Sequence, residues 1–249
     1  MKIPTLSFCI TCMNRFHQIE QTLKQNLDDN RMFKHLIEFI LVDFSTDDKL
    51  ECWIKSSFRN YLKCGYLKYF RTYELKQWHA SIAKNTAHFY AGNDILVNLD
   101  CDNYTGWNGG KFVIQQFLKH KNDIVLHQFG GNPIDGSYGR ISVMRNFFEC
   151  IGGYDETFEP MGYQDADLIE RLRNIGLQYV LKNDKQFNQA IWNSKAEGII
   201  NVQSSKNWNE MHEINRLKSK ENTQNGQLTA NNSVWGIRKN VFNITNKTT

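Results

Sequence analysis

Nowhere in the 249 residues do about eighteen apolar residues run together, so no segment reads as a membrane-spanning helix. The N-terminal stretch MKIPTLSFCITCMNRF has neither the long apolar centre nor the small-residue cleavage site of a secretory signal, and a cytoplasmic protein is the expectation. Basic residues are scattered. The formal net charge is only +4, from 30 Lys and Arg against 26 Asp and Glu, with no run of five or more cations. A duplex-binding surface clusters its cations, so nucleic acid is not an expected partner, whereas a mildly positive cleft for an anionic small molecule is compatible with this charge. Of the six cysteines, Cys9, Cys52, Cys64, Cys101 and Cys150 sit singly in mixed or apolar surroundings, as reduced structural thiols do. Cys9 and Cys12 form a CxxC without a second one, inside a predicted strand where residues three apart face opposite sides, which disfavours zinc or redox use. Sequons at Asn103, Asn231, Asn243 and Asn246 matter only in a secretory compartment, for which nothing here argues. There is no internal repeat and no long low-complexity segment.

What is present is a globular composition. With 41% hydrophobic and 13% aromatic residues, the chain can bury the core of one large domain, or of one domain plus an appendage. TLSFCITC (5–12) reads as a strand, followed by a helix carrying Ile19, Leu23 and Leu27 at intervals of four. IEFILVDFS (37–45) is a near-continuous apolar run, as in a parallel strand buried on both faces. A helix over about 48–60, a strand at 67–72, a helix around 77–91 and a strand at 94–100 follow. This alternation predicts an α/β fold with a mostly parallel central sheet flanked by helices, in which ligands bind beyond the carboxyl ends of the strands. Asp43 and the pair Asp100/Asp102 all fall at such ends and should converge on one cleft. The second half is less regular: a strand near 123–128, a Gly-rich loop over 130–140, a strand ISVM, a turn GGYDETFEPMGYQ, and a helix over 165–175 closed by Gly176. From about 204 the chain turns polar and Asn-rich.

Four stretches then stand together. SFCITCMNR, ILVDFSTDD, ASIAKNTAHFYAGNDILVNLDCDN and IGGYDETFEPMGYQDADLIERL resemble, in order and approximate spacing, nucleotide-sugar glycosyltransferases of the GT-A fold, and look like the large inverting family-two group. The last block is also similar to the C-terminal block of the β-1,4-galactosyltransferases. The resemblance covers roughly residues 5–180. It implies a glycosyltransferase domain over 1–190, with a donor half of about 1–103 and an acceptor half of about 104–190, and an extension over 191–249 packed on it.

The resemblance also implies roles. Asp102 would ligate Mn²⁺ or Mg²⁺ on the donor diphosphate, with Asp100 reaching the ribose; hard oxygen ligands suit those ions. Asp43 would bond the base edge, Thr11 and Arg15 would meet the nucleotide, and Lys84, standing where relatives carry arginine, would face it as a point charge. Asp165 would be the base that deprotonates the acceptor hydroxyl, and His212 the candidate further metal ligand. His79 stands where relatives usually have glycine.

Each residue has a plainer alternative. Asp102-Asn103 can start a turn capped by Asp100, and DFSTDD can be a turn and helix cap. Arg15 can be a solvated charge, and Asp165 and Asp167 can be first-turn acids beside a buried stripe of Leu168, Leu172 and Ile175. His212 can be a packed or surface histidine. Trp107 or Trp192 could stack on a sugar, although packing is the commoner use. The function implied is inverting, metal-dependent transfer of a hexose or N-acetylhexosamine from a UDP-sugar to a glycan or lipid-linked saccharide. Lys218, Lys220, Arg238 and Lys239 near Trp235 offer a weak signal for peripheral contact with the inner membrane face. A sugar-nucleotide nucleotidyltransferase would be expected to carry a Gly-rich basic first loop, which TCMNRFHQ is not. A binding domain without catalysis is the other alternative.

Overall fold

The computed structural model describes residues 2–132 and 135–245. The sequon at Asn246 and the centre of the loop predicted at 130–140 lie outside the described residues. Eight strands form a single sheet: β1 Leu6–Cys12, β2 Ile37–Asp43, β3 Leu67–Thr72, β4 Ile95–Asn98, β5 Ile124–Gln128, β6 Ile141–Met144, β7 Gln178–Lys182 and β8 Val241–Asn243, in the spatial order β7-β5-β6-β4-β1-β2-β3-β8. The helices are α1 Phe16–Asn30, α2 Lys49–Ser57, α3 Arg59–Lys63, α4 Ala80–Tyr90, α5 Gly109–Lys119, α6 Arg145–Cys150, α7 Gln164–Asn174, α8 Lys195–Gly198 and α9 Trp208–Gln224. The helix predicted over 48–60 is two helices, broken at Phe58, whose φ and ψ of −119° and 19° leave the helical region.

The apolar runs of β1 and β2 are buried at every position, because helices cover both faces of the sheet. Cys9 packs in the core on one face and Cys12 in the core on the other, so the CxxC thiols are separated by the strand itself. On α1, Ile19, Leu23 and Leu27 are fully buried, each stabilising the fold by about 1.5–3 kcal/mol through apolar area removed from water. Helix α7 ends in a Schellman motif: Gly176, at φ +103°, donates to Arg173 O and Leu177 donates to Leu172 O at 3.2 Å.

Four of the seven strand pairings are parallel (β1 with β2 and β4, β2 with β3, β5 with β7), while β6 runs antiparallel to β4 and β5 and β8 antiparallel to β3. The chain winds outward from β1 through β2 to β3 and then returns to place β4 on β1's other side. The crevice beyond the carboxyl ends of β1 and β4 is therefore the topological switch point, where open α/β sheets bind ligands.

The polar C-terminal stretch is structured. Helix α9 starts with a capping box, Asn207 with Glu210, and packs on α7. Its buried positions are Met211, Asn215 and Ser219; Asn215 Nδ2 donates to Gly162 O at 2.7 Å, and Ser219 Oγ to Asp167 Oδ1 at 2.8 Å. Among the described residues no helix is long and apolar enough to cross a membrane.

Candidate active site

The polypeptide leaves β4 as Leu99-Asp100-Cys101-Asp102-Asn103, and this turn meets α4 and the start of α7. Lys84, on the buried face of α4, is 4% exposed; its Nζ lies 2.7 Å from Asp165 Oδ1 and 3.8 Å from Asp100 Oδ1. Burial disfavours its charge, but Asp100 and Asp165 outweigh burial and hold its pKa above the ordinary lysine value, so the ammonium persists. Asn98, the last residue of β4, donates from Nδ2 to Asp100 Oδ1 at 3.0 Å and to Gly139 O at 2.8 Å. A Cβ on Gly139 would stand 2.6 Å from Asp100 Oδ2 and 3.1 Å from Lys84 Nζ, so the absence of a side chain there makes room for the acid.

Asp102 faces a different set of neighbours. Its Oδ1 accepts from Asn103 Nδ2 at 2.7 Å and its Oδ2 from Asn193 Nδ2. Burial first, and then the nearby charge of Asp100, push its carboxyl up to about 6. Asn103 is fully buried and also accepts from Arg140 Nη2 at 2.7 Å, so its sequon is a turn element of the core. Arg140 further donates to the carbonyls of Phe187 and Gln189, fastening the segment after β7 alongside the turn; Ile191 N donates to Asp102 O at 2.8 Å. Continuing, that segment reaches the end of β1: Gln18 bonds Asn193, Arg15 donates to Glu197 O and to Gln18 Oε1, and Asn201 Nδ2 donates to Met13 O at 2.9 Å.

Asp165 sits in the first turn of α7, behind Tyr163 in the left-handed conformation (φ +65°), and its Oδ2 accepts from Gln164 Nε2 at 3.3 Å. Asp167 faces inward, where Arg171 Nε donates to it at 2.8 Å while the same guanidinium also holds the carbonyls of Ile151 and Gly153. That network ties α7 to the turn before it and fixes where Asp165 points.

The remaining expected residues are placed as follows. Thr11 is buried at the end of β1. Asp43 is fully buried, accepting from Ser45 N at 2.7 Å and from Tyr69 OH at 2.5 Å, with Arg71 Nε 4.0 Å away. Both of its oxygens accept bonds within the protein and the side chain is fully buried, so it presents no open surface to a base edge. His79 caps α4 next to the 158–161 turn, its Nε2 3.1 Å from Phe158 O. His212 stacks on Trp208 at 4.7 Å and edges Tyr163 at 5.4 Å, with its backbone against Gly162. Among the described residues no three His, Cys, Asp or Glu side chains, His212 included, cluster as a complete cation site. Trp107 and Trp192 are 53% and 64% exposed, so neither is a core residue.

Asn98, Gly139, Arg140 and Asn193 are site residues that the sequence reading passes over. Only Asn98 left a signal: it lies two residues before Asp100 on the strand that leads into the acidic turn.

No protein-family model matches the chain, and no curated protein matches it by sequence. Solved structures do match in three dimensions. The chain is similar to the mannosyltransferase PcManGT from Pyrobaculum calidifontis, solved with GDP-Man and Mn²⁺, at 16% identity and a TM-score of 0.59, over 74% of this chain and 56% of that one. It is also similar to S. aureus TarS 1–349 solved with UDP-GlcNAc, at 16% identity and a TM-score of 0.63, over 86% of this chain and 65% of that one. The chain thus spans less than two thirds of the length of either. The architecture is the GT-A fold, with its central sheet and flanking helices.

Proposed function

We propose that the protein is an inverting, metal-assisted glycosyltransferase that moves a hexose or N-acetylhexosamine from a UDP-sugar to a hydroxyl of a glycan or lipid-linked saccharide. The observation that carries the reading is Lys84, whose ammonium joins Asp100, at the end of β4, to Asp165, at the start of α7. Transfer needs a cation on the donor diphosphate and a base at the acceptor hydroxyl, on opposite sides of one anomeric carbon, and this lysine spans the two carboxylates that would hold the one and be the other.

In this reading Asp100 and Asp102 are the donor-side acids, with Thr11, Arg15 and Lys84 lining the nucleotide cleft at the switch point. The fit to a divalent cation is chemical: the pair offers only hard oxygens, and burial first, then the charge of Asp100, raise the carboxyl of Asp102, both of which a bound cation would offset. Mn²⁺ or Mg²⁺ held by Asp102, with diphosphate and water completing its shell, would neutralise the charge developing on the leaving UDP. Asp43 is buried away from solvent and shapes the 43–48 loop through Ser45, supporting the nucleotide from behind. Asp165 accepts the acceptor's proton, and the hydroxyl attacks as the C1–O bond to the diphosphate breaks on the opposite face. Lys84 holds Asp165 in place through the 2.7 Å contact, and aiming the base is worth more than added basicity.

The test is metal-dependent hydrolysis and transfer over a panel of nucleotide sugars, with binding of UDP followed by calorimetry. Asp102→Ala should abolish Mn²⁺-assisted UDP binding and turnover together. Full activity in excess chelator would rule the metal role out, and UDP binding with no turnover on any donor would favour a binding domain.

A further inference from the structure

Between α7, β7 and α9 lies a groove of about 890 Å³ that the reading above does not use. Arg173, Arg216 and Lys220 line it, with Tyr163, Tyr179 and Thr223. Its charges are unequally compensated. Arg216 is held by Glu213 at 2.6 Å. The one acid in the lining, Glu170, has Tyr163 OH on one oxygen at 3.0 Å and Ser219 Oγ near the other at 3.5 Å. Among the described residues Arg173 and Lys220 make no ion pair, and Arg173 rests over the Tyr179 ring at 5.7 Å. Thr223 Oγ1 is buried without a hydrogen-bond partner.

We propose that this groove binds a phosphate group carried by the acceptor substrate. Two cations without counter-ions, a planar guanidinium fork and an unused hydroxyl together match a phosphate's charge and its several acceptor oxygens. A phosphate held by the guanidinium would still leave that cation seated on the Tyr179 face. The groove and the candidate base share one helix: Tyr163 of the lining immediately precedes α7, Asp165 stands in its first turn, and Glu170 and Arg173 of the lining follow on the same helix. An acceptor anchored by its phosphate beside Arg173 can run along α7 and present a hydroxyl to Asp165 in the helix's first turn. The proposal rests on the glycosyltransferase reading and specifies its acceptor as anionic. Both a phosphorylated glycan and a phospholipid headgroup supply this chemistry.

The experiment titrates the full chain with glucose 6-phosphate against glucose by calorimetry, and with phosphatidylglycerol against phosphatidylcholine vesicles by sedimentation. UDP with Mn²⁺ is titrated into the same preparations. At least one anionic probe should bind where its neutral counterpart does not; binding of the sugar phosphate alone marks a glycan source, and binding of the anionic vesicles marks a lipid source. Arg173→Gln with Lys220→Gln should weaken that binding roughly tenfold or more, as expected for loss of two charge-assisted contacts, with UDP affinity unchanged. Both residues are exposed, so folding is not at stake, and Arg173→Lys should restore part of the affinity. Equal binding of anionic and neutral probes would overturn the proposal. So would a double variant within twofold of the native protein, or an equal loss in the distant control pair Lys63→Gln with Lys119→Gln. Loss of anion binding with UDP binding intact indicts the groove alone; anion binding without any UDP binding removes the glycosyltransferase reading and the acceptor role with it.

Discussion

Lys84 Nζ lies 2.7 Å from Asp165 Oδ1, and both side chains are largely removed from water, at 5% and 12% exposure. The two residues are 81 positions apart in the chain, and their contact is where the first half of the fold meets the second. An ion pair so buried has been desolvated at substantial cost, and removal of one partner leaves the other uncompensated.

Lys84→Met should therefore destabilise the protein by about 3–5 kcal/mol, the usual cost of stranding a buried charge. Urea denaturation measures this directly. Adding Asp165→Asn to Lys84→Met removes the stranded carboxylate and should recover much of the loss. A double variant no more stable than Lys84→Met alone would mean that the two side chains are not energetically coupled.

Asp165→Asn alone keeps the shape of the side chain and removes the base. Turnover should fall by roughly a hundred- to ten-thousand-fold, the contribution general-base catalysis makes, with UDP affinity little altered. The coupling constant of the initial product's anomeric proton should report a β-glycoside from an α-linked donor. A retained α-linkage, or near-normal turnover, would reduce Asp165 to a helix-start acid.

Gly139→Ala should act on the donor side. The new methyl would lie 2.6 Å from Asp100 Oδ2, closer than any real contact, while Gly139 is held by the bond from Asn98 to its carbonyl at 2.8 Å. Asp100 must yield. UDP binding should weaken at least tenfold with little loss of stability, since Asp100 has solvent to turn into. Unchanged UDP affinity would remove Asp100 from the donor site.

The pH dependence of folding should carry a signature of His88. This ring is stacked on Phe148 at 4.6 Å, its Nδ1 is 2.7 Å from Lys84 O, and burial lowers its pKa from 6.5 to about 3. Between those values the unfolded chain binds a proton that the folded chain refuses, so stability falls as pH drops from 6.5 towards 3, by about 1.4 kcal/mol per unit. His88→Asn should flatten this part of the stability–pH curve by that slope. Parallel curves for the native protein and the variant would show that the ring titrates inside the fold.

The parts of the fold that could be read in the sequence are those whose burial is apolar. β1, β2 and α1 announce themselves through the Leu, Ile, Phe and Val among their buried positions, regular enough on α1 (Ile19, Leu23, Leu27) to show past the Gln18, Thr22, Asn26 and Asn30 it also buries. Helix α9 does not, because Asn215 and Ser219 occupy two of its three buried positions, and their partners are carbonyls and carboxylates of distant segments. β7 hides for the opposite reason: at the sheet edge only Val180 of its five residues is buried, so no alternation appears. Within the site, acids at strand ends could be found by position, but Gly139 and Asn193 act through a missing side chain and a neutral amide brought in from 41 and 91 residues away, and nothing local marks either.

The last of the described strands has a bearing on how the molecule is made. β8 pairs with β3 across a span of more than 160 residues, Thr72 opposite Val241 and Phe70 opposite Asn243. During synthesis β3 can associate with β2 early, yet its outer backbone groups stay unpaired until more than 160 further residues have emerged. An open parallel edge invites strands from other nascent chains. Yield of soluble protein, more than the finished fold's stability, is the property that changes to Val241–Asn243 would affect first.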